Sequence, residues 1–114
     1  MQYIIDSADT KAIRRCIEYF PVAGVTTNPT IISREKTDFK ALIAEIRSII
    51  GPDRMLHIQT TSDVAEDIVK EAEELKQIAG GDFYIKIPVS AEGLKAISIL
   101  KGKGIKVTAT AIFT

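Results

Sequence analysis

Apolar residues in this chain fall into short unbroken runs and longer spaced stripes, and the two kinds take turns from one end to the other. The short runs have the length of buried strands: Tyr3-Ile4-Ile5, Ala23-Gly24-Val25-Thr26, Met55-Leu56-His57-Ile58, Phe83-Tyr84-Ile85-Lys86-Ile87 and Ile105-Lys106-Val107-Thr108. The stripes have the three-and-four spacing of amphipathic helices. Ala12, Ile13, Cys16, Ile17 and Phe20 make the first, and Phe39, Leu42, Ile43, Ile46, Ile49 and Ile50 the second. Val64, Ile68, Ala72, Leu75 and Ile78 make the third, and Leu94, Ile97 and Leu100 the fourth. Ser7, Thr37, Ser62 and Ser90 stand where helix N-caps are expected, and Gly51-Pro52, Gly80-Gly81 and Gly104 stand just past helix ends. Strict βαβαβαβαβ alternation predicts parallel strands joined by right-handed helical crossovers. An open, doubly wound five-stranded sheet would be complete at this length. A (β/α)₈ barrel needs eight such units and about 250 residues.

Composition narrows the partners. Among 114 residues, 46% are apolar and 26% charged, and 15 basic side chains balance 15 acidic ones. That is the make-up of one soluble domain, with no linker or low-complexity stretch. Lys and Arg are dispersed, so a dedicated nucleic-acid binder is not expected. The opening MQYIIDSADTK lacks the basic lead and apolar core of a signal peptide, and no run approaches a membrane span. The single cysteine, Cys16, can form no internal disulfide, which fits a reducing cytoplasm. On the apolar side of a helical stripe it reads as a small buried residue. His57 has no Cys, His or carboxylate at ligand spacing, so no metal is expected.

In α/β folds of either kind, polar residues at the carboxyl ends of the strands gather at one face. Here the strands deliver Asp6, then Thr26 with Asn28, then Gln59, then Lys86, and finally Thr108 or Thr110. Lys86 is the least ordinary of them. If Ile85 and Ile87 face the helices, alternation turns Lys86 the other way, towards a barrel axis. A lysine ammonium held in a low-dielectric interior loses solvation and becomes available as a free amine, the species that attacks a ketone to form a Schiff base. Taken singly, each residue also has a plainer use. A strand lysine can snorkel to water, Asp6 can cap the first helix, Asn28-Pro29 can make a turn, and Thr110 can be a simple β-former.

Taken together, Ile5-Asp6, Gly24-Val25-Thr26-Thr27-Asn28-Pro29-Thr30, Ile85-Lys86-Ile87-Pro88-Val89-Ser90 with Glu92-Gly93-Leu94, and Thr108-Ala109-Thr110-Ala111-Ile112-Phe113 resemble, in order and spacing, the transaldolase and fructose-6-phosphate aldolase family. The resemblance implies a class I aldolase on a TIM barrel, of which residues 1–114 are the amino-terminal half, with five strands and four helices. It implies that Lys86 forms the Schiff base with a ketose or with dihydroxyacetone. Asp6 would assist proton transfer and position the sugar hydroxyls, and Thr26, Asn28 and Thr108 would bind the donor. Gln59 and Thr110 would hold a catalytic water. At the position of Gln59, transaldolases proper resemble one another in carrying a glutamate, and the fructose-6-phosphate aldolase branch resembles this chain in carrying a glutamine. A neutral amide can orient a water but cannot take its proton. The implied partner is a sugar or sugar phosphate, with no cofactor, in pentose-phosphate-type carbohydrate metabolism.

The family's last three strands and its phosphate-binding residues lie beyond the likeness. A half-barrel would have open edges at the first and fifth strands and an open axial face, expected to be lined by residues such as Ile4, Val25 and Ile58. Three readings follow: a fragment of a Schiff-base enzyme with little activity alone, a half-barrel that pairs as a homo-oligomer to close itself, or a non-catalytic five-stranded α/β binding domain.

Overall fold

The computed structural model describes residues 3–27 and 39–110, the side chain of Thr110 excepted. Among them are five strands, β1 (Tyr3–Asp6), β2 (Val22–Thr27), β3 (Met55–Gln59), β4 (Phe83–Pro88) and β5 (Lys106–Thr110). Between them lie four helices, α1 (Thr10–Tyr19), α2 (Phe39–Ile50), α3 (Ala65–Ala79) and α4 (Ala91–Gly102). The strands form one parallel sheet in the order β1-β2-β3-β4-β5. A doubly wound sheet would reverse direction after the first pair and cover both faces. Here each helix packs on the next in sequence, as the unrolled half of a (β/α)₈ barrel requires.

Period-2 alternation decides which face the helices cover. In β4, Phe83, Ile85 and Ile87 are buried while Tyr84, Lys86 and Pro88 are only half-buried. In β3, Leu56 and Ile58 are buried while Met55, His57 and Gln59 are half-buried. The buried set joins Ile13, Val25, Ile43, Ile46, Ile68, Leu75 and Leu100 in one core between sheet and helices. Val25 and Ile58 therefore do not line the open face, as the sequence reading expects. Both are fully buried against the helices, and of the three residues named for that face only Ile4 is exposed. The opposite face of the sheet carries Asp6, Thr26, His57, Gln59, Tyr84, Lys86, Lys106 and Thr108, and is more polar than the motifs alone suggest. Gly24 lies on this face in register with Met55 of β3, and a Cβ there would sit 2.6 Å from the carbonyl oxygen of Met55.

The third and fourth stripes face the core as expected, through Ile68, Ala72 and Leu75 and through Leu100, but each has one residue turned out. Val64 is 49% and Leu94 56% exposed. α4 instead buries Gly93, Ala96 and Leu100, because it closes tightly on β4 at Gly93, where a Cβ would meet the Pro88 carbonyl at 2.2 Å. Phe20 lies just past α1 and is exposed. Cys16 is half-buried on α1.

The caps also differ in part. Asp9, not Ser7, caps α1 by accepting from the backbone N–H groups of Lys11 and Ala12, and Ser7 Oγ accepts from Asp9 N–H one turn earlier. Ser62 does not cap α3. Its hydroxyl bonds Glu71, while Glu92 of α4 accepts from the Ala65 backbone N–H at the start of α3. Ser90 caps α4 through Gly93 N–H at 2.9 Å, and Thr37 lies outside the described residues. Gly51, Gly80 and Gly104 follow helix ends at positive φ, as expected. Among the described residues no helix is long and apolar enough to cross a membrane.

At the amino-terminal ends of the strands a single guanidinium joins four segments. Arg47 of α2 donates to the carbonyl oxygens of Ala79, Gly51, Arg54 and Asp82 at 2.7 to 3.0 Å. Arg54 extends this rim by donating to Val22 and Ile50 carbonyls. Burial lowers the Arg47 pKa and Asp82 counteracts it; a guanidinium stays charged regardless.

Candidate functional site

The residues expected to carry chemistry lie at the other ends of the strands, in two rows set by the parallel register. In the upper row Gln59 pairs with Lys86 and Lys86 with Thr108. In the lower row Asp6 pairs with Thr26, Thr26 with His57, and His57 with Tyr84. A parallel sheet in register points such partners to the same face. Lys86 therefore stands between Gln59 and Thr108 on the face away from the helix-side core, as strand alternation predicts.

Asp6 and Thr26 are joined directly. The Thr26 hydroxyl donates to Asp6 Oδ1 at 3.0 Å, and the Thr26 carbonyl accepts from Ser7 N–H. Asp6 is thus not the cap of α1, a task that belongs to Asp9. Its carboxylate is exposed on the open face with one oxygen held and acceptor capacity to spare. No hydrogen bond links this pair to the upper row among the described residues. Asn28 lies outside the described residues, and Thr110 is the last residue of β5.

Lys86 is half-buried, and among the described residues no carboxylate pairs with its ammonium, in contrast to the ion-paired Lys95, Lys103 and Lys106. Its backbone is anchored by its carbonyl, which accepts from Thr60 N–H at 3.0 Å. The segment after Gln59 is pinned too. Glu71 of α3 accepts from Thr61 N–H at 2.8 Å, from the Thr61 hydroxyl at 2.6 Å and from the Ser62 hydroxyl at 3.2 Å. Lys86 and Gln59 thus stand on strands whose exits are held, which is what a site with fixed geometry needs.

Sequence reading weighed His57 only as a metal ligand and gave no role to Tyr84. In the structure both face the site. The two rings stack with centroids 4.5 Å apart and planes inclined by 10°. His57 Nδ1 lies 3.0 Å from Thr108 Oγ1. Burial, and secondarily the positive charge of Lys86, push His57 below its ordinary range, with Asp82 opposing. The ring is therefore neutral at physiological pH. Alternation carried the signal: His57 is two residues from Gln59, and Tyr84 two from Lys86. Lys106, in register with Tyr84, completes this side of the face. Its ammonium pairs with Asp82 at 2.8 Å and lies 5.1 Å from the centre of the Tyr84 ring.

Comparison with known proteins shows the family that the sequence resembles. The sequence model of the family described as Transaldolase/Fructose-6-phosphate aldolase matches residues 3–114. A probable fructose-6-phosphate aldolase of Streptococcus pneumoniae is 41% identical over the whole of this chain and 52% of its own length. Probable transaldolases of Thermoanaerobacter sp. and Lachnoclostridium phytofermentans are 40% and 36% identical, again over all of this chain and 51% and 52% of theirs. The chain spans about half the length of the curated relatives it matches.

Proposed function

The chain belongs to the transaldolase/fructose-6-phosphate aldolase family, and from that membership we propose that it supplies the Schiff-base side of a class I aldolase, with Lys86 as the covalent residue. The observation that carries this reading is the setting of Lys86. It stands on the inner face between Gln59 and Thr108, on an anchored strand, with no pairing carboxylate among the described residues. A lysine committed to a surface ion pair would have neither the reach nor the free amine for carbonyl attack.

In this scheme the Lys86 amine adds to the C2 carbonyl of a ketose, and loss of water leaves an iminium. The C3–C4 bond then breaks, its electron pair moves towards the iminium nitrogen to give an enamine, and the C4 hydroxyl loses its proton as the aldehyde departs. The Asp6 carboxylate, steadied by Thr26, is the base for that proton. Protonation of the enamine and hydrolysis release dihydroxyacetone, and addition to a second aldehyde transfers the same three carbons. Gln59, with Thr110, orients the water of the hydrolytic steps, while Thr26, Asn28 and Thr108 hold donor hydroxyls. A glutamine at position 59 supports the aldolase branch, in line with the name borne by the S. pneumoniae relative.

The test is borohydride reduction of the full-length protein in the presence of dihydroxyacetone, followed by peptide mass mapping. A reduced three-carbon adduct on the peptide containing Lys86, lost in Lys86→Met, is the expected result. An adduct confined to other lysines, or none at all, overturns the assignment. Since the amine serves as the electron sink, turnover is expected to persist in excess chelator, and its abolition would point to a metal-dependent aldolase instead.

A further inference from the structure

The scheme above gives His57 no task, yet its side chain is held on the inner face from two neighbouring elements. It belongs to β3, its ring stacks on Tyr84 of β4, and its Nδ1 reaches Thr108 of β5. β3 and β5 are not neighbours; β4 runs between them. With strands about 4.8 Å apart, the backbones of β3 and β5 are roughly 10 Å apart, and the His57 and Thr108 side chains close that gap together, from either side of β4. Its starting point is in register with Tyr84, and its end point, Thr108, is in register with Lys86, two residues further along β4. The imidazole therefore crosses β4 obliquely, between Tyr84 and Lys86.

Its nitrogens are not arranged for proton transfer. Nδ1 is engaged with Thr108, and Nε2 is shut off from solvent without a hydrogen-bond partner among the described residues. A metal is no better supported, since no group of three potential ligands is found among those residues. The remaining property is its shape and its fixity.

We propose that His57 is a positioning residue for Lys86: its ring, fixed between Tyr84 and Thr108, forms a floor beneath the lysine and turns the amine towards the carboxyl ends of the strands. This rests on Lys86 as the Schiff-base residue. The four-carbon stem of a lysine has many rotamers, and some fold back towards the middle of the sheet. A rigid aromatic surface there removes them and raises the fraction of time the amine spends at attack distance from a bound carbonyl. The depressed pKa of the ring fits such a place, since a second positive charge under the ammonium would be repelled.

Rates of borohydride trapping with dihydroxyacetone, measured on the full-length protein, test the role. His57→Ala is expected to slow adduct formation at Lys86 about tenfold or more, and His57→Phe, which keeps a ring over Tyr84, to recover most of the rate. Equal rates in all three proteins would overturn the proposal, and so would a His57→Phe variant as slow as His57→Ala. Should His57→Ala fail to fold, the imidazole resonance of His57 in folded Lys86→Met gives a second measure. Its titration midpoint is expected to move up once the lysine charge is gone, while the other groups on this side of the face, Tyr84, Lys106 and Asp82, stay in place. An unmoved midpoint would mean that ring and lysine are not neighbours, and would overturn the floor. That readout needs no Schiff base. A wild-type protein that forms no adduct at Lys86 while the midpoint still moves would sink the Schiff-base assignment, and the positioning role with it, but leave ring and lysine as neighbours.

Discussion

Single side chains on the inner face carry two of the clearest consequences. At Gly24 an added Cβ would stand 2.6 Å from the Met55 carbonyl oxygen and 2.8 Å from the Met55 Cβ. Neither obstacle is the far end of a flexible chain, so β2 and β3 must part. Gly24→Ala is expected to destabilise the full-length protein by about 1–3 kcal/mol, read as a lower urea midpoint with an unchanged slope. His57 gives a pH dependence whose sign is fixed by its environment. Burial and Lys86 hold the folded-state pKa below the ordinary value of about 6.5. Below that pH the unfolded chain takes up a proton that the folded chain does not, so stability present above it is lost as pH falls towards the folded pKa. The urea midpoint is expected to drop as pH falls below about 6.5, and His57→Phe to flatten that part of the curve. An unchanged curve in the variant would assign the loss to carboxylates. Lys86, Asp6 and Gln59 were legible in the sequence because strand alternation and strand ends point to them. The structural neighbourhood of His57 was not, since a contact from the third strand to the fifth depends on a ring crossing the strand between, and no local pattern encodes that.

Elements are held at their amino-terminal rim more firmly than their own sequences suggest. Arg47 ties the ends of α2 and α3 to the entries of β3 and β4 through four carbonyl oxygens. A bond from a charged donor contributes about 1.5–3 kcal/mol and four sharing one group do not add. Arg47→Ala is therefore expected to cost about 3 kcal/mol or more. Arg47→Lys should recover only part of this, because an ammonium lacks the fork that reaches several acceptors at once. Equal stability of Arg47→Ala and the parent protein would show that water replaces the guanidinium at no cost. At the opposite end Ser90 caps α4 directly after the strand that carries Lys86, and Ser90→Ala is expected to cost about 1 kcal/mol. The five strands and four helices could be read from period and punctuation alone. Which residue caps them could not always be. Ser62 is a good cap by type, but Glu71 takes its hydroxyl and Glu92, 27 residues beyond Ala65, serves the start of α3. Tertiary reach outweighed local preference there, as at Leu94, which is exposed while its neighbour Gly93 takes the close contact with β4.

For the whole molecule, the order β1-β2-β3-β4-β5 with helices packed in succession decides between the two architectures that alternation alone leaves open. Among the described residues β1 and β5 each pair with a single strand. Tyr3 and Ile4 on β1 are 41% and 53% exposed, with Phe20 against Tyr3 at 5.6 Å between ring centres. Residues 1–114 produced alone are expected to self-associate, since edge strands offer unpaired backbone groups and exposed apolar area favours burial at about 25 cal/mol per Å². Sedimentation of that piece in dilute solution would show it, and a well-behaved monomer of 12.5 kDa would refute it. The Arg47 rim has a further implication for how such a molecule changes over generations. It grips the strands at their entry, whereas Lys86, Gln59 and the loop pinned by Glu71 lie at their exit, about 15 Å away along strands rising about 3.3 Å per residue. Substitutions in the exit loops therefore leave the clasp at the entry untouched, so that the shape of this face and the durability of the fold are expected to be inherited as nearly separate traits.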